Sequence, residues 1–288
     1  MKHPFLLAVL TFCVFSQYAF SQDEAKVPEK YTAHNKGKFY ISWGGNRESY
    51  SRSDVNFKGD NYDFTVEDMQ AHDKPKGYSI DYINPARMTI PQTNFRLGYY
   101  VSDHYSASIG WDHMKYVMSQ DQIANISGYI NTHETSATTG QSFDQTFNHT
   151  PTQMTEDFLT YEHTDGLNYV NAEFARHDDI SKLFTIGNTD KIQINISEGL
   201  GAGVLYPKTN TKLMGRERHD EFHVSGYGLS AKAALNITFL KYFYLQGEIK
   251  GGYINMNDIK TTYMNADSAS QHFYYLQRIL SVGGIFRV

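Results

Sequence analysis

Three clusters in the 288-residue chain carry residue types that do chemistry. Glu162-His163-Thr164-Asp165 sets an imidazole beside two carboxylates and a hydroxyl. Such a histidine acts as a general base on a water or a hydroxyl nucleophile. His163 is the candidate base, and Asp165 or Glu173 would serve as the acid that orients it. His219-Asp220-Glu221-Phe222-His223 spaces two imidazoles four apart, which makes a metal pair on a helix, but this segment is not helical in pattern. Asp54, Asp60, Asp63, Glu67 and Asp68 offer hard oxygen ligands of the kind Ca²⁺ takes. Lys58 occupies a would-be ligand position in that run, so no EF-hand loop forms. No metal or other cofactor is expected. Asn125-Ile126-Ser127 is given no weight as a modification site.

Groups like these must be held by something, and the elements around them are strands. Asn94–Tyr116 reads as two ribbons joined by Ser102-Asp103-His104. Phe95, Leu97, Tyr99 and Val101 alternate with Asn94, Arg96, Gly98 and Tyr100. Tyr105, Ala107, Ile109 and Trp111 alternate with Ser106, Ser108, Gly110 and Asp112. This is the period-2 signal of a sheet with one apolar and one polar face. Each arm runs roughly 9–12 residues, the length of a tilted strand that crosses a bilayer, where globular strands stop near about 5–6.

The same alternation recurs in Lys38–Asn46, Tyr161–Arg176, Lys191–Tyr206, His223–Phe239, Tyr242–Met256 and Gln271–Val288, giving eight strands. Connections 47–92, 119–160, 207–222 and 257–270 are long, and those between them are short. Alternating long and short connections are the mark of an antiparallel up-and-down transmembrane β-barrel with external loops and short periplasmic turns. An even strand number closes the sheet and leaves no edge in lipid. Glu198 falls on the apolar face of its strand, so a bulge or a local partner is expected there.

Composition fits this reading. Net charge is −5, from 26 basic and 31 acidic residues, and gives no basic footprint for nucleic acid. Mean hydropathy is −0.51, low for a helical membrane protein but natural where only alternate strand residues meet lipid. The 22 Tyr and 18 Phe suit aromatic girdles at two interfaces. At the N-terminus, Lys2-His3, the apolar run Phe5–Phe15 and Ala19-Phe20-Ser21 match a signal peptide over 1–21 with cleavage before Gln22. Residues 22–36 form a periplasmic lead-in and 37–288 the barrel. Cys13 is the single cysteine; Phe12 spoils a lipobox around it, and the mature chain holds no disulfide.

With this topology and the closing strand Ile285-Phe286-Arg287-Val288, the chain over Lys38–Val288 resembles the small eight-stranded outer-membrane barrels of the OmpA and OmpX type. Gly37–Trp43 and Phe57–Thr65 are also similar to uncharacterised outer-membrane proteins of Bacteroidota-type bacteria. The resemblance implies residence in the bacterial outer membrane. It implies contact with lipid and lipopolysaccharide, and recognition by the barrel-assembly machinery through Phe286 and Val288. It implies no defined activity.

Inside such a barrel Arg96, Asp112, Glu173, Lys232, Glu248 and Lys250 would face the lumen, three basic and three acidic. An eight-stranded barrel is only wide enough for side chains to fill it, so a charge-balanced plug is the expectation. Three functions follow from the sequence. The first is a monomeric scaffold that displays its loops, with Tyr50, Tyr62, Phe64, Tyr78, Tyr82 and Tyr129 offered to a partner. The alternatives are an enzyme acting on membrane lipid at His163 and a narrow solute channel.

Overall fold

The computed structural model describes residues 33–75, 92–216, 218–219 and 221–288. The signal sequence, most of the lead-in, and Tyr78 and Tyr82 lie outside the described residues. In chain order the strands are β1 (Phe39–Tyr50), β2 (Ser53–Gly59), β3 (Tyr62–Met69), β4 (Ala71–His72), β5 (Thr93–Tyr100), β6 (Tyr105–Met114), β7 (Val117–Met118) and β8 (Ile123–Ile130). They continue as β9 (Gln145–Gln153), β10 (Leu159–Glu162), β11 (Leu167–Asp179), β12 (Ile192–Leu205), β13 (Asn210–Leu213), β14 (Gly226–Phe239), β15 (Phe243–Lys260) and β16 (Ser268–Phe286).

Eight of these form an antiparallel ring in the order β1-β5-β6-β11-β12-β14-β15-β16, with β16 pairing back onto β1. The closing ladder runs from Phe39 opposite Phe286 to Tyr50 opposite Tyr275. A walk along the register from Gly44 passes Asn94, Asp112, Tyr169, Leu205, Gly226, Met256 and Gln271. It returns to the first ribbon at Val55 of β2, opposite Gln271. The circuit is therefore staggered by about ten residues, which sets a strand tilt of roughly 35–45°.

The pleat sends alternate side chains to opposite faces. Ile109, Leu229 and Ile249 point outward, with 64%, 52% and 57% of their surfaces exposed. Their apolar face therefore does not meet another sheet, and the fold is that of a transmembrane barrel. Phe39, Tyr99, Phe239, Phe243 and Phe286 ring the turn end, while Tyr206, Tyr227, Tyr253 and Tyr274 ring the loop end. Glu198 keeps regular register with no bulge, and its cross-strand neighbour is Arg176. An acid and a base face each other near the turn-end girdle, which accounts for a carboxylate on this face.

The long connections are folded, not loose. Hairpin β2–β3 extends the wall beyond β16, and β8 and β9 add to β3. A second sheet, β13-β10-β7-β4, faces them. Between the two lies an apolar core that includes Val55, Phe57, Phe64, Val66, Ile126, Phe158 and Leu159.

This corrects several boundaries. Tyr161–Arg176 is not one strand: Glu162 ends β10 in the cap, Gly166 turns at φ 147°, and the barrel strand begins at Leu167. Residues 119–160 hold β8, β9 and the start of β10. The connection after β15 shrinks to 261–267, because β15 and β16 climb past the girdle into the cap. Tyr62 and Phe64 are buried in the cap core, so of the described aromatics proposed for display only Tyr129 is well exposed. Among the described residues no helix is long and apolar enough to cross a membrane.

Candidate functional site

The inward faces of five strands bring the ionic side chains together at mid-barrel. Glu173 on β11 is the hub. Its Oε1 lies 2.9 Å from Arg96 Nη2 and 2.8 Å from Lys250 Nζ, and its Oε2 lies 2.8 Å from Lys232 Nζ. Lys250 also meets Asp112 at 2.8 Å and Glu248 at 3.7 Å. Lys232 meets Glu248 at 3.3 Å, and Arg96 meets Asp112 at 3.8 Å. Asn94 and Asn171 donate amide hydrogens to the two oxygens of Asp112, at 2.6 and 3.1 Å. Three cations thus meet three anions, all buried.

Such a cluster is stable only when each charge keeps its partners, since an unpaired buried ion is expensive. The backbone makes room for it. A Cβ on Gly110 would lie 2.6 Å from the Arg96 guanidinium. A glycine on the inward face of a strand is the sequence mark of that close approach.

Polar and aromatic layers close the lumen on either side. Toward the turns, Tyr40, Tyr100, Tyr244 and Ile285 pack together. Toward the loops, Asn46 donates to Asn94 at 2.7 Å, Gln277 donates to Glu48 at 3.0 Å, and Gln92 bridges Glu48 and Asp73. Above them Gln271 donates to Ser53 at 2.8 Å and accepts from Tyr161 at 3.1 Å. The cavity left beside the charge cluster measures about 30 Å³, room for one or two waters; a wider one of about 300 Å³ lies at the turn end, lined by Gln193, Thr238 and Ile285.

The candidate base does not sit in this barrel. His163 is fully buried in the cap, its ring lying between those of Tyr116 and Tyr161. Its Nδ1 meets Thr209 Oγ1 at 2.9 Å. Burial among apolar rings lowers its pKa to about 3, because nothing charged compensates the lost hydration. Asp165 instead accepts from Asn210 at 3.2 Å and lies 3.9 Å from Lys208. Glu173 belongs to the lumen hub. The three residues expected to form an acid–base site are dispersed, and the imidazole has no open face toward a substrate.

The cap holds a cluster that sequence reasoning missed. Ser127 donates to Glu67 Oε1 at 2.5 Å, His149 Nδ1 meets Glu67 Oε2 at 2.8 Å, and the His149 backbone N–H donates to Ser127 Oγ at 3.1 Å. The hydroxyl and imidazole hold the Glu67 carboxyl below its usual range. Both serve one carboxylate, so the imidazole is not placed to take the serine proton. The cluster ties β3 to the hairpin β8–β9. Only the tertiary meeting of three loop segments creates it.

The metal candidates disperse as well. Asp63 pairs with Lys58, and His223 meets Asp258 and Ser225. Among the described residues no group of three or more His, Cys, Asp or Glu converges as metal ligands would.

No protein-family model matches the chain, and no curated protein does. Among solved structures, it is similar to Ail, the attachment invasion locus protein of Yersinia pestis, at 11% identity and TM-score 0.33, over 87% of this chain and 99% of that one. It is similar to the outer membrane protein OprG of Pseudomonas aeruginosa at 8% identity and TM-score 0.36, over 88% and 98%. A third likeness is to Neisserial surface protein A, at 6% identity and TM-score 0.28, over 84% and 96%. At such scores the barrel architecture rests on the strand ladder and the outward apolar belt, not on these likenesses.

Proposed function

We propose that the protein is an integral outer-membrane barrel that conducts no ions and serves as a rigid pedestal for its folded cap. The loop end faces the exterior and the turns face the periplasm. The observation that carries this is the packed middle of the lumen: side chains and paired charges fill it between the tyrosine layer and the cap. The cap supports the same reading, because a shared core makes four connections one body instead of separate tethers. Export by the signal at 1–21 belongs to the proposal. So does recognition by the assembly machinery through Phe286, which faces outward at the turn end, and Val288. His163 offers no comparable support for lipid-modifying chemistry.

The test is electrical. Purified protein inserted in planar bilayers should show no steady conductance at voltages on the order of 100 mV, a drive of about 2.3 kcal/mol per charge. A sustained current that Lys232→Ala or Glu248→Ala changes would overturn the pedestal reading in favour of a pore.

A further inference from the structure

The outer wall carries two arginines in direct opposition. Arg47 of β1 and Arg278 of β16 are cross-strand partners on the closing seam, both exposed on the lipid-facing side. Leu280 and Val282 lie below them, and Ile249 stands across the β15–β16 ladder from Arg278, all more than half exposed. Above them stand Tyr274 and Tyr253, their rings 5.3 Å apart. Arg47 lies eight residues beyond Phe39 of the turn-end girdle. At about 3.3 Å per residue and a tilt near roughly 40°, that is about 20 Å up a belt about 25 Å tall. The pair therefore sits where hydrocarbon gives way to headgroups.

Like charges directly opposite one another on a sheet destabilise it, and a lipid-facing wall makes the conflict worse. Among the described residues the acceptors these guanidinium groups reach are neutral: Arg47 Nη1 donates to the Asn46 carbonyl at 2.6 Å, and Arg278 Nη2 donates to Ser49 Oγ at 3.4 Å. The opposite rim handles the same problem differently. There Arg176 grips Asp178 at 2.8 Å and stands across from Glu198. The chain supplies its own anions at the turn end. At the seam no described residue supplies one, which leaves the surroundings as its source.

We propose that the β1–β16 seam is a binding site for the phosphate of a lipid headgroup in the leaflet at the loop end, held by Arg47 and Arg278. Two guanidinium forks match phosphate oxygens bidentately, and the tyrosine pair lies level with the headgroup. This deepens the pedestal reading and rests on its placement of the barrel in the membrane.

Native mass spectrometry of the detergent-solubilised protein with lipid A tests it. The wild type should retain one phosphorylated lipid A and lose it when the phosphates are removed. R47Q/R278Q should retain it about tenfold less well, a change of about 1.4 kcal/mol. R47K/R278K should fall between, since it keeps charge without the fork. Equal retention by all three proteins, or undiminished retention of dephosphorylated lipid by the wild type, would overturn the site. If the glutamine variant does not fold, the lysine variant and the dephosphorylated lipid decide alone. Quenching of Trp43 by brominated acyl chains in phosphatidylcholine vesicles separates the two claims. An unquenched Trp43 removes the membrane placement itself, whereas a quenched Trp43 without phosphate dependence removes only the clamp.

Discussion

The barrel and its cap share one ladder and invert each other's chemistry. On β15 the inward face runs Glu248 and Lys250 in the barrel, then Ile254, Met256 and Ile259 in the cap. The outward face changes in the opposite sense, from Leu245 and Ile249 to Asn255 and Asn257. β16 repeats the switch inward, from Ser281 and Gln277 to Phe273 and Ala269. The surrounding medium explains the inversion. In hydrocarbon an apolar exterior needs no burial, so the interior is free to be polar provided its groups are paired. In water the cap must bury apolar area to fold, at about 1.5–3 kcal/mol for each large side chain.

The two interiors should therefore fail differently. Glu173→Ala removes the carboxylate that three cations share. It should lower barrel stability by about 3–5 kcal/mol, the cost of leaving buried charges uncompensated. Urea unfolding in lipid vesicles measures this. A double-mutant cycle with Lys232→Ala should show a smaller loss than the sum of the two single changes. Additive losses would mean that the lumen is wet enough to screen its ions.

One substitution type placed on the two exteriors separates the two media. Ile109 and Ile123 are both well exposed, at 64% and 74%. Ile109→Arg, in the middle of the belt, should cost about 2–4 kcal/mol if lipid surrounds it. Ile123→Arg, on the cap, should stay within about 0.5 kcal/mol, as exposed changes do in water. Matching effects at the two sites would erase the distinction between the regions.

The barrel was legible in the sequence because lipid forces strict alternation, and Arg96, Glu173 and Lys250 announced themselves as charges at inward positions. The cap was much harder to read. β4, β7, β10 and β13 span only two to four residues, too few to show a period. Tyr62 and Phe64 read as surface aromatics because their partners come from β8 and from Phe158, far along the chain. His163 misled in another way. A histidine flanked by acids looks like chemistry on paper, but just past the end of β10 the His163 ring turns inward while Asp165 stays at the surface.

That burial gives the cap a pH dependence of its own. His163 is neutral in the folded cap, with its pKa lowered to about 3 by desolvation, against an unfolded value near about 6.5. The unfolded cap therefore binds the proton first. The stabilisation from the neutral ring is complete above about pH 6.5 and is lost as the pH falls toward about 3. At about pH 4.5 the loss should amount to about 2–3 kcal/mol. Amide hydrogen exchange along the ladder between β3 and β8, compared at pH 7 and pH 4.5 after correction for intrinsic rates, reads this directly. His163→Phe keeps an aromatic ring beside Tyr116 and Tyr161, gives up the Thr209 contact, and should flatten the dependence while lowering stability uniformly. A variant whose protection falls with acid as steeply as the wild type would place the sensitivity elsewhere, in carboxylates such as Asp157, whose pKa the hydroxyls of Ser136 and Thr155 hold at about 2. Asp157 titrates well below the window where His163 acts, so a loss already under way at pH 5.5 belongs to the imidazole.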